Sequence, residues 1–391
     1  MSKKYLLATK TWDDAEYAAI DRVIKSDMFT MGKEVLQFEK DFASFFNKKY
    51  AVMSNSGSSA NLLMIAALFY KKNNPLKEGD EVIVPAVSWS TTYLPLQQYK
   101  LKVKFVDIDI NTLNFDLNKL ESAITSDTKA ILAVNLLGNP NDFDRIKTLI
   151  HGKDIVLLED NCESMGATYQ GEYAGGIGLM GTFSTFFSHH ISTMEGGLTV
   201  TDDEELYHIM LSLRAHGWTR NLPNENLVTG VKSIDPFIES YKFVLPGYNL
   251  RPLEMSGAIG QEQIKKLPSI VSNRRKNAKA FLSIIKKYDW IIPQLEIGQS
   301  SWFGFSIVIY PNSGKSRAGL IEVLNKYGIE HRPIVAGNFV KNHVIAYFDY
   351  EVHQNLVNAD LVDTNGLFIG NHHFDLSDEL ELLAEALDAF N

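Results

Sequence analysis

The chain has 391 residues, 45% of them hydrophobic and 22% charged, with a formal net charge of −9. That length holds one large α/β unit and a smaller one, each with its own core, and an acidic chain without a basic tract argues against nucleic-acid binding. No apolar run approaches the roughly 20 residues that cross a bilayer, the start lacks the apolar stretch of a signal peptide, and the single cysteine, Cys162, excludes an internal disulfide, a cysteine-based zinc cluster and an iron–sulfur centre held by four cysteines, so a cytoplasmic protein with no membrane partner is expected.

In chain order, short apolar β-branched runs alternate with helical stretches. A strand-like run at 50–54 leads into a helix over 61–70. Strands are expected over 81–87 and 102–109, a helix over 117–124, then strands over 129–137, 154–160, 181–187 and 197–202. Short strands of nearly continuous apolar character, spaced for crossovers, predict a mostly parallel sheet with helices on both faces. An aromatic-rich, weakly patterned stretch covers 217–248. A long helical segment follows Arg251 as far as Arg275, with another over 278–287, a strand within 301–311 and mixed α+β to the end. These divide the chain into a large unit over 1–264 and a small α+β unit over 265–391. There is no internal repeat and no low-complexity segment.

Ligands of an open α/β sheet sit beyond the carboxyl ends of its strands. There, Ser56-Gly57-Ser58-Ser59 opens a helix; it reads as a phosphate cup or as an ordinary capped helix start. Trp89 ends the second strand run, placed to stack on a flat ring or to pack in the core. Asp160 closes the run DIVLLED and is followed by Asn161, Cys162 and Glu163. A buried carboxylate needs a partner, which a protonated pyridine nitrogen would provide; the alternative is a helix cap. His189 and His190 precede the turn Glu195-Gly196-Gly197. No metal is expected there, since neither HExxH nor a ligand-spaced carboxylate accompanies them, and a general base is the stronger reading. Gly176-Ile177-Gly178-Leu179-Met180-Gly181 matches GxGxxG but precedes a strand instead of opening a helix, so the dinucleotide reading fails.

The ordered runs SNSGSSAN, VPAVSWSTT, FVDID, NLLGNP, LLEDNCESMGA, GTFSTFF, GGLTVTDD and PGYNLRPLEMSGAIG resemble the pyridoxal-phosphate sugar aminotransferase and dehydratase family over nearly the whole chain. The resemblance implies an α/β, fold-type I pyridoxal-phosphate architecture and homodimers with shared active sites. The family's aminotransferases carry a lysine six residues before the acidic residue of a (D/E)GG turn; here that position is His189. Imidazole is not a primary amine, so pyridoxal 5'-phosphate or pyridoxamine 5'-phosphate would be held non-covalently.

What the resemblance further implies is a dehydratase acting on a nucleotide sugar, GDP-4-keto-6-deoxy-D-mannose, on a route to colitose and lipopolysaccharide O-antigen. L-glutamate would regenerate the amine form of the cofactor, and His189 would move the proton while the C3 hydroxyl leaves. By position, Gly57, Ser58 and Ser184 would hold the phosphate, with Asn249 reaching it from the partner subunit. Asp160 would pair with the pyridine nitrogen, Trp89 would stack on the ring, and Glu163 would lie near the ring oxygen. Arg220 is a substrate contact or a surface arginine, His216 is equally open, and His190 is a neighbour that tunes His189 or a packed loop residue. An iron–sulfur dehydratase of the same family is excluded by the single cysteine. Two alternatives stand beside this reading: a nucleotide-sugar 4-aminotransferase, which needs the missing lysine, and a catalytically silent ligand-binding homologue.

Overall fold

A computed structural model describes residues 5–391. Its large sheet contains β1 (Tyr50–Ser54), β2 (Glu81–Pro85), β3 (Lys102–Val106), β4 (Thr128–Val134), β5 (Val156–Asp160), β6 (Met180–Ser184), β7 (Gly197–Thr201) and β8 (Tyr350–Val352). The spatial order is β1-β7-β6-β5-β4-β2-β3-β8. Only β7 runs against its neighbours, and the other pairings are parallel. β2, β6 and β7 are buried along their whole length, which requires a covered face on each side of the sheet.

Four strands end earlier than their apolar character predicts, at Pro85, Val106, Val134 and Ser184. Beyond the first three, residues stay buried although they leave the ladder, among them Ala86, Val87, Ile108, Leu136 and Leu137, whereas Phe186 and Phe187 beyond Ser184 are exposed. Apolar patterning reports burial, and burial continues where strand pairing stops. Leu137 turns the chain with φ 52°, so the wall beyond β4 is a tight turn.

Glu254–Ile285 forms one helix of 32 residues, roughly 48 Å long at 1.5 Å per residue. The break expected near Arg275 is absent. No glycine or proline interrupts residues 275–278, and the Asn277 amide ties that turn to the carbonyls of His372 (3.1 Å) and Phe374 (2.8 Å). The helix is a spine between two cores. Ile264, Leu267, Ile270 and Val271 pack against Phe38, Phe42 and Phe183 of the large unit. Ala278, Phe281 and Ile285 pack into a second core with Trp290, Phe305 and Leu383, where Phe281 and Phe305 stack at 4.3 Å. Residue 265 lies within this helix, and Tyr5 belongs to the second core. That core lines a four-stranded antiparallel sheet built on Gly304–Ile309 and Gly366–Gly370. Strand geometry begins only at Gly304 because Trp302 adopts φ 51°.

Candidate active site

A cavity of about 750 Å³ opens at the carboxyl ends of β1, β2, β4, β5 and β6 and is closed on its far side by the small unit. It is lined by Ser56, Gly57, Ser58, Trp89, Asp160, Glu163, Ser184 and His189. Eight residues scattered over more than a hundred positions converge because each ends or follows a strand of one mostly parallel sheet.

Gly57 begins the helix Gly57–Leu68, whose cap is Ser56 accepting from Ser59 N at 3.1 Å. A Cβ on Gly57 would lie 2.7 Å from Ser184 Cβ and 3.2 Å from Cys162 Sγ. Only glycine fits between those two strand ends. The free N–H groups of this first turn and the Ser58 and Ser184 hydroxyls form a neutral, donor-rich cup suited to a phosphate. Ser56 serves as an ordinary helix cap, one of the two readings of that motif, and this leaves the cup beside it free for an anion. Trp89 is 58% exposed beside the cavity, so the core-packing alternative is excluded.

Asp160 is buried, and its Oδ2 accepts from Asn61 Nδ2 (2.8 Å) and Thr92 Oγ1 (2.7 Å), while Oδ1 accepts from Cys162 N (3.1 Å). All these donors are neutral, so the buried carboxylate lacks a cationic partner among the described residues, which a pyridinium N–H in the cavity would supply. Asn61 is itself held by Thr182, which donates to its Oδ1 at 2.6 Å. Asn61 and Thr92 were not singled out from sequence, although both stand in the runs SNSGSSAN and VPAVSWSTT. Glu163 accepts from Leu137 N at 3.1 Å, and burial, with the charge of Asp160 adding, pushes its carboxyl up to about 7.

The His189 ring lies between Phe186 (6.0 Å) and Phe303 (5.1 Å), with Nδ1 buried and without a partner. Burial, reinforced by the charge of Arg274, holds its pKa at about 4. The imidazole is thus neutral across the physiological range, further from its ordinary titration than residue type alone suggests. His190 is fully buried, with Nε2 3.2 Å from Ser301 O and its ring 5.8 Å from Phe303. It packs behind the loop and does not line the cavity.

His372 is likewise held at about 4, chiefly by burial. Unfolded histidines titrate near 6.5, so below that pH the unfolded chain takes up protons that the folded one refuses. Stability contributed by His189 and His372 is therefore full above pH 6.5 and lost as pH falls from 6.5 to 4. The melting temperature of the cofactor-free protein is expected to drop over that window, and His189→Asn should flatten the drop. A flat wild-type profile would contradict the burial of these rings.

Asn249, His216 and Arg220 are not gathered here. All three are exposed and outside the cavity lining. Asn249 Oδ1 accepts from Arg251 Nε at 3.1 Å, His216 turns the chain with φ 65°, and the Arg220 guanidinium sits 4.8 Å over the Trp218 ring. Further residues that sequence reasoning missed come from the small unit: Arg274, Phe303, Arg332 and His372 line the cavity, and no local motif marks them. The GxGxxG run is taken up internally, since Ile177 N and Gly178 N donate to Glu159 Oε1 at 2.6 and 2.7 Å. Among the described residues no cluster of three metal-ligating side chains occurs, and no helix is long and apolar enough to cross a membrane.

A cavity at the carboxyl ends of a mostly parallel sheet, with a donor-rich helix start, a buried carboxylate and a small second unit, fits the class of fold-type I pyridoxal-phosphate enzymes. Residues 10–381 match the DegT/DnrJ/EryC1/StrS aminotransferase family, and the chain belongs to it. The chain is similar to the GDP-4-keto-6-deoxy-D-mannose 3-dehydratase of Escherichia coli O55:H7, 65% identical over 98% of this chain and 99% of that protein. A solved E. coli GDP-4-keto-6-deoxy-D-mannose-3-dehydratase with bound hydrated pyridoxal phosphate superposes with a TM-score of 0.98, at 64% identity over 99% of this chain and 100% of that one. A further dehydratase structure with a trapped pyridoxal-phosphate–glutamate geminal diamine gives a TM-score of 0.97, at 65% identity over 98% of this chain and 100% of that one.

Proposed function

We propose that this chain is a pyridoxal-phosphate-dependent enzyme that removes the C3 hydroxyl of GDP-4-keto-6-deoxy-D-mannose. The products are GDP-4-keto-3,6-dideoxy-D-mannose and ammonia, with L-glutamate, oxidised to 2-oxoglutarate, as the two-electron reductant. The carrying observation is His189. A neutral imidazole lines the cavity and no lysine does among the described residues. A site without a primary amine holds its cofactor non-covalently and leaves the cofactor's own amine free for the sugar ketone.

When bound in its amine form, the cofactor supplies that amino group and an electron sink. The protein's part is to hold and to move protons. Gly57, Ser58 and Ser184 would grip the phosphate, Asp160 would keep the pyridine nitrogen protonated, Trp89 would cover the ring and Glu163 would lie toward its oxygen. His189, neutral at the outset, takes a proton from the carbon at which the cofactor's amine is attached. As an imidazolium it then becomes the acid available to the departing hydroxyl.

A homodimer with shared sites fits the exposed apolar surface, which includes Ile234 (99% exposed) and Phe237 (85%) together with Tyr241 and Leu253. In that assembly Asn249 would reach the partner's phosphate cup, and His216 and Arg220 would approach its sugar nucleotide. We also propose a large cofactor-binding unit over 1–264 and a small unit over 265–391, with Tyr5 crossing to the small core and the helix as far as Val271 and Tyr350–Val352 crossing to the large unit, together with a cytoplasmic location and a place in colitose and O-antigen synthesis.

Mass spectrometry of the sugar formed with glutamate and GDP-4-keto-6-deoxy-D-mannose tests the reaction. Loss of one oxygen with the ketone retained and ammonia released is expected. An amine in place of the ketone, with the hydroxyl kept, would identify an aminotransferase. No turnover and no cofactor binding would identify a silent homologue.

A further inference from the structure

Arg274 is 4% exposed on the Glu254–Ile285 helix and lines the cavity. Its Nη1 donates to the carbonyls of Phe303 (2.8 Å) and Trp302 (3.4 Å), and its Nε is buried with no partner. No carboxylate among the described residues pairs with it, and burial alone pulls its pKa down to about 10. A buried guanidinium that meets only carbonyls is costly to the folded chain unless an anion completes it. Among the described residues, Arg332 is the one other arginine or lysine lining the cavity, and it is exposed at the rim.

We infer that Arg274 binds the α-carboxylate of the amino donor; the inference rests on the dehydratase reading above. Depth decides between the two anionic substrates. The α-carboxylate is one bond from the carbon that gives up its amine, so its receptor must lie deep, beside the group that moves the proton. Arg274 meets this condition, because the residue whose carbonyl it holds, Phe303, packs its ring 5.1 Å from His189. The sugar's diphosphate is attached across the ring from C4 and must point toward the mouth. Guanidinium and carboxylate also match as a bidentate pair. The charge of Arg274 helps to depress His189, so an arriving carboxylate would cancel that field and make the imidazole a better base when the donor is bound.

The two half-reactions separate the possibilities. Cofactor absorbance follows the glutamate half-reaction of the holoenzyme, and a single turnover of pyridoxamine-phosphate-loaded enzyme follows the sugar half-reaction. Arg274→Gln is expected to lower kcat/KM for glutamate by about 100-fold, and Arg274→Lys by about 10-fold, with sugar turnover within about threefold of wild type. Equilibrium binding of glutarate, which has carboxylates but no amine, should weaken in parallel. Equal losses in both half-reactions would make Arg274 a scaffold residue, and a loss confined to the sugar would assign it to the diphosphate; either result overturns the inference. Should Arg274→Gln fail to fold, wild-type enzyme still tests it. The α-amide of glutamate should react about 100-fold less efficiently than the γ-amide, and equal reactivity overturns the proposal. Wild-type holoenzyme that does not respond to glutamate at all would instead sink the dehydratase reading.

Discussion

Replacing His189 by asparagine is expected to lower turnover by about 10² to 10⁴, the usual contribution of a positioned acid or base. Asparagine fits between Phe186 and Phe303 and remains polar, but it has no nitrogen that titrates in the working range. The phosphate cup and the Asp160 network lie on other strand ends, so cofactor affinity should stay within a few-fold of wild type. Initial rates together with an absorbance titration of the cofactor check both halves of the statement. Full activity would remove His189 from the mechanism. Loss of cofactor binding in parallel with turnover would make it a binding group.

Asp160→Ala is expected to act on both stability and cofactor retention. It removes the acceptor of Asn61 Nδ2, Thr92 Oγ1 and Cys162 N; the first two keep contacts to Thr91 O (3.3 Å) and Ser88 Oγ (2.7 Å), so Cys162 N is the donor left without a partner. Leaving a buried donor unsatisfied costs about 1–3 kcal/mol before water enters the gap. Removing one member of a buried ion pair adds about 3–5 kcal/mol to cofactor release, a rise in Kd of more than about 100-fold. Asp160→Asn separates the two effects. It keeps an acceptor and the packing while removing the charge, so the melting temperature should recover more than the affinity does. The measurements are thermal melts without cofactor and dialysis of loaded protein followed by absorbance. Unchanged retention in Asp160→Asn would show that its charge does not face the pyridine nitrogen.

Much of this site was legible because its residues sit at strand ends, and strand ends are visible as the places where β-branched runs meet Gly, Ser, Asp or Trp. Gly57, Trp89, Asp160 and His189 were found in that way, Ser184 came from the family resemblance, and the structure brings all five to one cavity. The second wall was not legible. Phe303 lies in a run that reads as strand, yet Trp302 takes φ 51° and the Phe303 N–H donates to Leu137 O at 3.0 Å. That pairing joins segments 166 positions apart in the sequence, and no local pattern encodes it. Arg274 likewise reads as one more basic residue on a helix until the small unit folds over it.

The sequence by itself determined the class of sheet and the strand ends that carry chemistry, and its resemblance to the family supplied the register that puts His189 where a lysine would tether the cofactor. Residue types and spacings suffice for the first two, because a parallel sheet gathers its strand ends whatever the details of packing. Tertiary structure alone decided that His189 is neutral, that Asp160 is held by neutral donors and has no cationic partner, and that a buried arginine faces the same cavity without a counter-charge among the described residues. Desolvation and hydrogen-bond saturation depend on every neighbour at once, and those neighbours come from positions far apart in the chain.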